Sequence, residues 1–307
     1  MARPFRIGTR GSPLALTQAN LARSLLSAAH GHDAAAYEIV PIRTTGDAVQ
    51  DRPLAEIGGK ALWTKELDRA LIEGDIDCAV HSMKDVETLR PGAIAIAAIL
   101  ERADVRERLL GAPSIEALPE GAAIGTSSPR RAAQMRRMRP DLRIVPLRGN
   151  VDTRIAKLTT GEADATLLAA AGLQRLGRSE VGVAVPIETM LPAPSQGAIG
   201  IEVRANDPDS IALVGAIDHE ATRACVMAER ALLAALQADC HSPVAAHARF
   251  EGGVMTLAAQ LLSEDGAEHV TGRLSGHDGV ALAEALARDL LDRAPPLVCA
   301  RFGKCAA

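Results

Sequence analysis

The sequence predicts an α/β protein: two similar lobes with mostly parallel sheets, then a smaller α+β unit at the C-terminal end. The first observation behind this is an internal echo. Ile7-Gly8-Thr9 followed by Ser12-Pro13 recurs as Ile124-Gly125-Thr126 followed by Ser128-Pro129. Ile39-Val40-Pro41-Ile42-Arg43 recurs as Ile144-Val145-Pro146-Leu147-Arg148, and Gly74-Asp75-Ile76-Asp77 as Gly161-Glu162-Ala163-Asp164, in the same order. The second is the character of the repeated pieces. Each apolar run before Gly-Thr reads as a buried strand, and Ser-Pro then supplies a helix N-cap and a first-turn proline. Repeated strand-helix-strand units of this kind build a mostly parallel sheet. The third is length, since 307 residues exceed what one compact core usually serves.

Taken in order, the first lobe opens with a strand and a helix over residues 14–29, and its apolar run 93–100 is strand-sized. Residues 101–104 leave this lobe. The second lobe repeats the plan, with a helix over 130–138, and residues 191–197 leave it. The apolar stretch 198–203 reads as a strand crossing back into the first lobe. After Asp207-Pro208-Asp209 the chain passes to a third unit. There an alanine-rich helix near 219–237 precedes strands near 244–250, 254–262 and 268–274 and a helix over 280–292. The expected domains are 1–100 with 198–217, then 101–197, then 218–307. The first lobe carries a polar insertion, residues 46–60, that its echo lacks; with Gly58-Gly59 it reads as a flap over the ligand region. In such lobes ligands gather at the carboxyl ends of strands and the amino ends of helices, where unpaired N–H groups favour anions. Two lobes facing each other would form a cleft with two anion-receptive corners.

Composition narrows the function. A net charge of −4 gives no global pull toward nucleic acid, and an aromatic content of 2% removes the stacking platforms of single-strand binders. No apolar stretch approaches the roughly 20 residues of a membrane span. The N-terminal stretch lacks a signal-peptide pattern, and the five cysteines include no CxxC pair, so the cytoplasm is the expected compartment. Arginines are concentrated between Arg130 and Arg154, which in a mildly acidic chain points to a specific anionic ligand. Arg136, Arg137 and Arg139 read instead as a solvated helix face, so Arg137→Leu is expected to be nearly silent.

Several segments could carry chemistry. Arg10 to Leu16 and Gly125 to Arg131 set hydroxyls and guanidinium groups at strand-to-helix turns, where carboxylates or phosphates bind. Plain capping by Ser12 and Ser128 is the simpler reading, and each can do both. Arg148 and Arg154 add cations at a strand end. Gly58-Gly59-Lys60 lacks the spacing of a nucleotide loop, so a solvated lysine fits it at least as well. Asp85, in His81-Ser82-Met83-Lys84-Asp85, sits at a strand end beside Lys84, equally suited to electrostatic or acid–base work and to a structural ion pair. His81 reads as packed or locally hydrogen-bonded. Cys78 and Cys225 fall inside a strand and a helix, and Cys299 and Cys305 lie near the end of the chain. Cys240 falls in a loop just after a helix, where a thiol can be reached. Its neighbour His241 suggests a protease-like pair, but adjacent loop side chains rarely hold that geometry.

With these residues in view, the chain resembles the porphobilinogen deaminase family. The similarity lies in TRGSPLAL (Thr9 to Leu16), GGKALWTKEL (Gly58 to Leu67), AVHSMKD (Ala79 to Asp85) and GTSSPRR (Gly125 to Arg131). It continues through LRGNVDTR (Leu147 to Arg154), LAAAGLQRLG (Leu168 to Gly177) and PSQGAIGIE (Pro194 to Glu202), in the family's order. The resemblance implies two lobes like those of periplasmic binding proteins plus a C-terminal domain. It implies a dipyrromethane cofactor thioether-linked to Cys240 and a catalytic role for Asp85. Ser12, Lys84, Asp85, Thr126, Ser127, Ser128, Arg130, Arg131 and Arg154 would hold the cofactor. Arg10, Arg148, Arg154, Arg175, Gln196 and Lys60 would hold porphobilinogen, whose successive deaminating additions yield hydroxymethylbilane for tetrapyrrole and haem biosynthesis. A monomer without metal is expected. The chain departs from the family pattern at Glu56, Trp63, Pro129 and Ala238-Asp239, the last replacing glycines before the cofactor cysteine. A solute-binding protein is the rival, since two lobes alone would serve it. A regulatory effector-binding domain is disfavoured because no helix-turn-helix segment precedes the lobes.

Overall fold

The computed structural model describes residues 3–44 and 64–302. The expected flap 46–60, with Lys60, and the departures at Glu56 and Trp63 lie outside the described residues.

Each echoed piece becomes the element its pattern implies. The first run comprises β1 (Phe5–Arg10), α1 (Pro13–His30), β2 (Tyr37–Ile42), α2 (Lys65–Glu73), β3 (Cys78–Ser82) and β4 (Ile94–Ile99). The second comprises β5 (Glu107–Leu110), β6 (Ala123–Gly125), α3 (Pro129–Met138), β7 (Arg143–Val145), α4 (Val151–Thr159), β8 (Ala165–Ala169), α5 (Ala170–Arg175) and β9 (Val183–Val185). Then β10 (Ile199–Arg204) returns to the first sheet, and α6 (Pro208–Gly215) packs on β4 and β10.

The two sheets share one plan, β2-β1-β3-β10-β4 and β7-β6-β8-β5-β9. In each, the first three strands are mutually parallel and the fourth runs antiparallel to both neighbours. Those two antiparallel strands, β5 and β10, are the ones by which the chain enters one sheet from the other.

The duplication reaches individual hydrogen bonds. Asp77 N–H donates to Arg6 O at 2.8 Å, and its carboxylate accepts from Arg6 N–H at 2.8 Å. Asp164 does the same with Ala123, at 2.8 and 2.6 Å. A carboxylate thus ties the start of β3 to β1 and, in the same way, the start of β8 to β6. Burial pushes the Asp77 carboxyl up, but Arg3 and Arg6 outweigh burial and hold it well below the usual carboxylate range. The repeated Gly-Thr also has a steric cause. A Cβ on Gly8 would lie 2.3 Å from Ile76 Cδ1, and one on Gly125 would lie 2.7 Å from Leu147 Cδ2.

Contacts divide the chain into two compact units, Met1–Ala103 with Gly197–Arg223, and Asp104–Gln196 with Ala224–Ala307. The second unit also holds the antiparallel meander β11 (Val244–Glu251), β12 (Val254–Leu262) and β13 (His269–Gly276). After α7 (Glu220–Ala235) and this meander come α8 (Gly279–Asp292) and α9 (Pro296–Phe302). Leu282, Leu286 and Leu290 on α8 recur every fourth residue, forming one apolar stripe in the core with Leu232, Leu257 and Leu261. Among the described residues no helix is long and apolar enough to cross a membrane.

Candidate active site

In the first unit, the carboxyl ends of β1 and β3 carry the groups of interest. Ser12 caps α1, its hydroxyl accepting from Ala15 N–H at 3.3 Å. Arg10, Ser12, Gln18, Thr64, His81, Ser82 and Asp85 line a hollow of about 60 Å³. Gln18, buried on α1, donates from Nε2 to Ser82 Oγ at 2.8 Å. After Ser82 a 3-10 turn spans Met83–Asp85. Met83 fastens this turn: its N–H donates to Ala198 O at 3.1 Å, and its side chain is 1% exposed. Gly200 makes room for it, because a Cβ there would lie 2.0 Å from Met83 Sδ. Lys84 and Asp85 are left half-buried. The Asp85 carboxylate makes no hydrogen bond or ion pair among the described residues. His81 is buried beside Glu202, in keeping with the packed role expected of it.

In the second unit, Ser128 caps α3 by accepting from Arg131 N–H at 3.4 Å. Thr126 Oγ1 accepts from Ser128 N–H at 3.1 Å, and Ser127 Oγ donates to Leu147 O at 3.2 Å. Arg130 and Arg131 turn inward onto Glu107 of β5, which is fully buried. Arg130 Nη2 donates to Glu107 Oε1 at 2.6 Å, and Arg131 Nη2 to Oε2 at 2.7 Å. Arg130 also bonds Gln134 Oε1 and Leu191 O, and burial pulls its guanidinium below its ordinary value. Arg148, Arg154 and Arg175 are half-buried. Asn150 caps α4, Gly149 turns at a φ of 116°, and Arg154 Nε donates to Gly149 O at 3.0 Å. Burial pulls Arg175 down to about 10. Gln196 is fully buried and donates to Val105 O at 2.8 Å.

Cys240 is exposed, in the turn between α7 and β11. Asp239 builds that turn: its Oδ1 accepts from His241 N–H at 2.9 Å, and its N–H donates to Ser242 Oγ at 3.1 Å. An Asx turn thus stands where the family commonly has glycine. Cys78 and Cys225 are buried in their elements, and Cys299 is disulfide-bonded.

The solvated-face reading of α3 is overturned at Arg139. Its guanidinium donates to Ile115, Glu116, Leu118 and Pro119 carbonyls and pairs with Asp141 at 2.7 Å. Arg137 fits that reading poorly too, since its Nε is buried without a hydrogen-bond partner. Sequence reasoning also missed Gln18, Thr64, Glu107 and Glu202. For the two glutamates the signal was present: a carboxylate inside an apolar strand needs a cation beside it.

The geometry separates two kinds of arginine. Arg131→Leu breaks a buried pair and is expected to cost about 3 kcal/mol of stability, with Arg130 still holding Glu107. Arg148→Leu should melt within about 1 kcal/mol of the parent and lose cofactor loading or turnover instead. Melting curves and intact masses of both variants check this; equal melting would sink the distinction.

Two family models match the chain. One, described as "Porphobilinogen deaminase, dipyromethane cofactor binding domain", covers residues 5–212, and the other, the C-terminal domain of porphobilinogen deaminase, covers 223–293. The porphobilinogen deaminase of Sphingopyxis alaskensis is 60% identical over 301 residues, covering 96% of this chain and 95% of that protein. That of Paracoccus denitrificans is 48% identical, with 95% of each covered. Among solved structures, an ancestral cationic amino acid solute-binding protein aligns at 16% identity with a TM-score of 0.42, over 69% of this chain and 87% of that one. A periplasmic VFT2 domain of Bordetella pertussis BvgS aligns at 14% with a TM-score of 0.39, over 70% and 86%. Likenesses that loose add nothing to the fold described above.

Proposed function

The chain belongs to the porphobilinogen deaminase family and carries its dipyrromethane-cofactor-binding domain; on that premise we propose that it is a hydroxymethylbilane synthase of the transferase class. In this reading it adds four porphobilinogen molecules in turn and releases the linear product by hydrolysis. The observation that carries the site assignment is Asp85: a half-buried carboxylate in a hollow lined by Arg10, without a cation of its own among the described residues.

The residues present suit the cofactor. An exposed thiol in a shaped turn is a chemically suitable point of attachment, and Arg148, Arg154 and Arg175 are cations matched to acetate and propionate groups. Cys240 would hold the group covalently, and Ser12, Lys84, Thr126, Ser127, Ser128, Arg130, Arg131 and Arg154 are the residues proposed to bind it. When bound, it supplies the pyrrole terminus on which the chain is started.

Asp85 acts on the substrate. Porphobilinogen loses ammonia as its aminomethyl C–N bond breaks, and the pyrrole-stabilised cation left behind lies near the carboxylate. A fixed anion there lowers the energy of that cation and can accept the pyrrole N–H. Arg10, Arg148, Arg154 and Arg175, with Gln196 and Lys60, are proposed to orient the substrate's two carboxylates. The burial of Gln196 against Val105 favours a supporting part for it over direct contact. Arg130 and Arg131, shared with Glu107, bring a net charge of one rather than two to the site they border.

A division into domains 1–100 with 198–217, 101–197 and 218–307 belongs to the same proposal, as do a monomeric state and a cytoplasmic location. The test of function is direct: purified protein given porphobilinogen should release ammonia and form a linear tetrapyrrole. Binding without ammonia release would favour the solute-binding reading.

A further inference from the structure

Beneath the Asp85 turn lies a buried cluster of charge centred on Arg90, whose side chain is 8% exposed. Its guanidinium serves three carboxylates. Nε and Nη2 donate to the two oxygens of Glu202, at 2.8 and 2.9 Å. Nη1 donates to Glu87 Oε2 at 2.5 Å, and Nη2 also reaches Asp68 Oδ1 at 2.5 Å. These partners come from different elements: Glu202 from β10, Asp68 from α2, and Glu87 from the segment just after Asp85.

Two branches run outward to the hollow that Asp85 lines. Along one, Glu87 accepts from Thr64 Oγ1 at 2.8 and 2.9 Å, and Thr64 is part of the wall. Along the other, Glu202, 0% exposed, lies 3.2 Å from His81 Nε2, off the line of a good hydrogen bond, and His81 is also part of the wall. His81 precedes the Met83–Asp85 turn and Glu87 follows it, so the cluster grips that turn from both sides. Arg90 itself does not line the hollow.

We propose that Arg90 is a positioning residue for Asp85: one guanidinium outside the hollow fixes Thr64 through Glu87 and His81 through Glu202, and so sets where the carboxylate stands. The inference rests on the assignment of Asp85 as the catalytic group. Lysine cannot substitute, because three carboxylates in different directions need the planar fork, and an ammonium is a single point charge. Glu202, Glu87 and Asp68 face Arg90 and, on the far side of Glu202, His81; with a weaker cation the carboxylates repel one another. Burial pushes Asp68 up in spite of Arg90. Burial also pushes Glu202 up, but His81 and Arg90 outweigh that and hold it at about 2.

The test compares cofactor-loaded Arg90→Lys, Arg90→Lys with Glu87→Gln, Thr64→Val and Asp85→Asn with the parent. Arg90→Lys should lower kcat about ten- to hundredfold with KM little changed, as expected for a misplaced carboxylate. Its cofactor content by mass should equal the parent's, and the Val86 amide, bonded to Met83 O at 3.3 Å, should exchange hydrogen faster. Adding Glu87→Gln should recover much of the loss, and the ratio of variant to parent kcat should rise as pH falls. Thr64→Val cuts one branch at the wall and leaves the ion cluster whole; it should lower kcat at an unchanged melting temperature, and it decides the matter if Arg90→Lys does not fold. An Arg90→Lys protein with kcat within twofold of the parent overturns the proposal. So does a loss that follows melting temperature alone and answers neither to Glu87→Gln nor to pH. If Asp85→Asn stays fully active, the assignment of Asp85 fails first; if it is inactive while Arg90→Lys and Thr64→Val are normal, only the positioning role fails.

Discussion

Asp85→Asn is expected to lower turnover about a thousandfold while leaving the protein folded. Loss of ammonia creates a pyrrole-stabilised cation, and C–C bond formation creates another before a proton leaves. A carboxylate about 4 Å from such a charge, at an effective dielectric near 20, attracts it by about 4 kcal/mol. Felt mainly in the transition state, that energy corresponds to roughly three decades of rate. Asparagine keeps the shape and deletes the charge. Asp85→Glu keeps the charge and moves it by a methylene, which should cost on the order of a hundredfold. Stability should change little in either variant, because Asp85 has no ion pair to lose among the described residues. The competing view, a structural carboxylate, requires the opposite: a lower melting temperature with turnover per folded molecule preserved. Single-turnover rates and melting curves on loaded protein separate the two, and turnover within tenfold of the parent would falsify the catalytic assignment.

Cys240→Ser should remove the cofactor and reduce activity to background. A thiolate forms the carbon–sulfur bond that a serine hydroxyl, far less nucleophilic near neutrality, does not. The parent should weigh more than its sequence by one dipyrromethane, and the variant should return to sequence mass. Cys78→Ser and Cys225→Ser, at buried positions inside β3 and α7, should keep the adduct. The turn around Cys240 is made by Asp239 and Ser242, so the variant has the means to keep its fold. An adduct that persists in Cys240→Ser, or a fully active parent at sequence mass, ends the attachment proposal. Asp239→Gly tests the departure from the family pattern: it should loosen the turn and change the rate of loading more than the final mass.

Much of this architecture was legible because its determinants are local. A Ser-Pro step after an apolar Gly-Thr strand end specifies a capped helix from a few adjacent residues, and Ser12 and Ser128 both cap. The alanine-rich helix, the three strands of the meander and the final long helix also stand within a few residues of where periodicity put them. The echo of Asp77 by Asp164 was visible as a spacing. That they bond N–H groups of β1 and β6 was not, because the partners lie far apart in sequence.

The sequence by itself determined the duplicated α/β plan, the exposed turn that carries Cys240 and the strand end that carries Asp85. Each depends on short-range rules of capping, alternation and chain reversal. Only the tertiary structure decided how the charges are shared. Arginines 130, 131 and 139 look alike in a local arginine run, yet the first two sink onto Glu107 and the third clamps backbone carbonyls. Arg90 carries no motif, yet it holds three carboxylates from separate elements. Buried charge must be met by an opposite charge within a few ångströms, and which residues come that close is settled by strand order and packing.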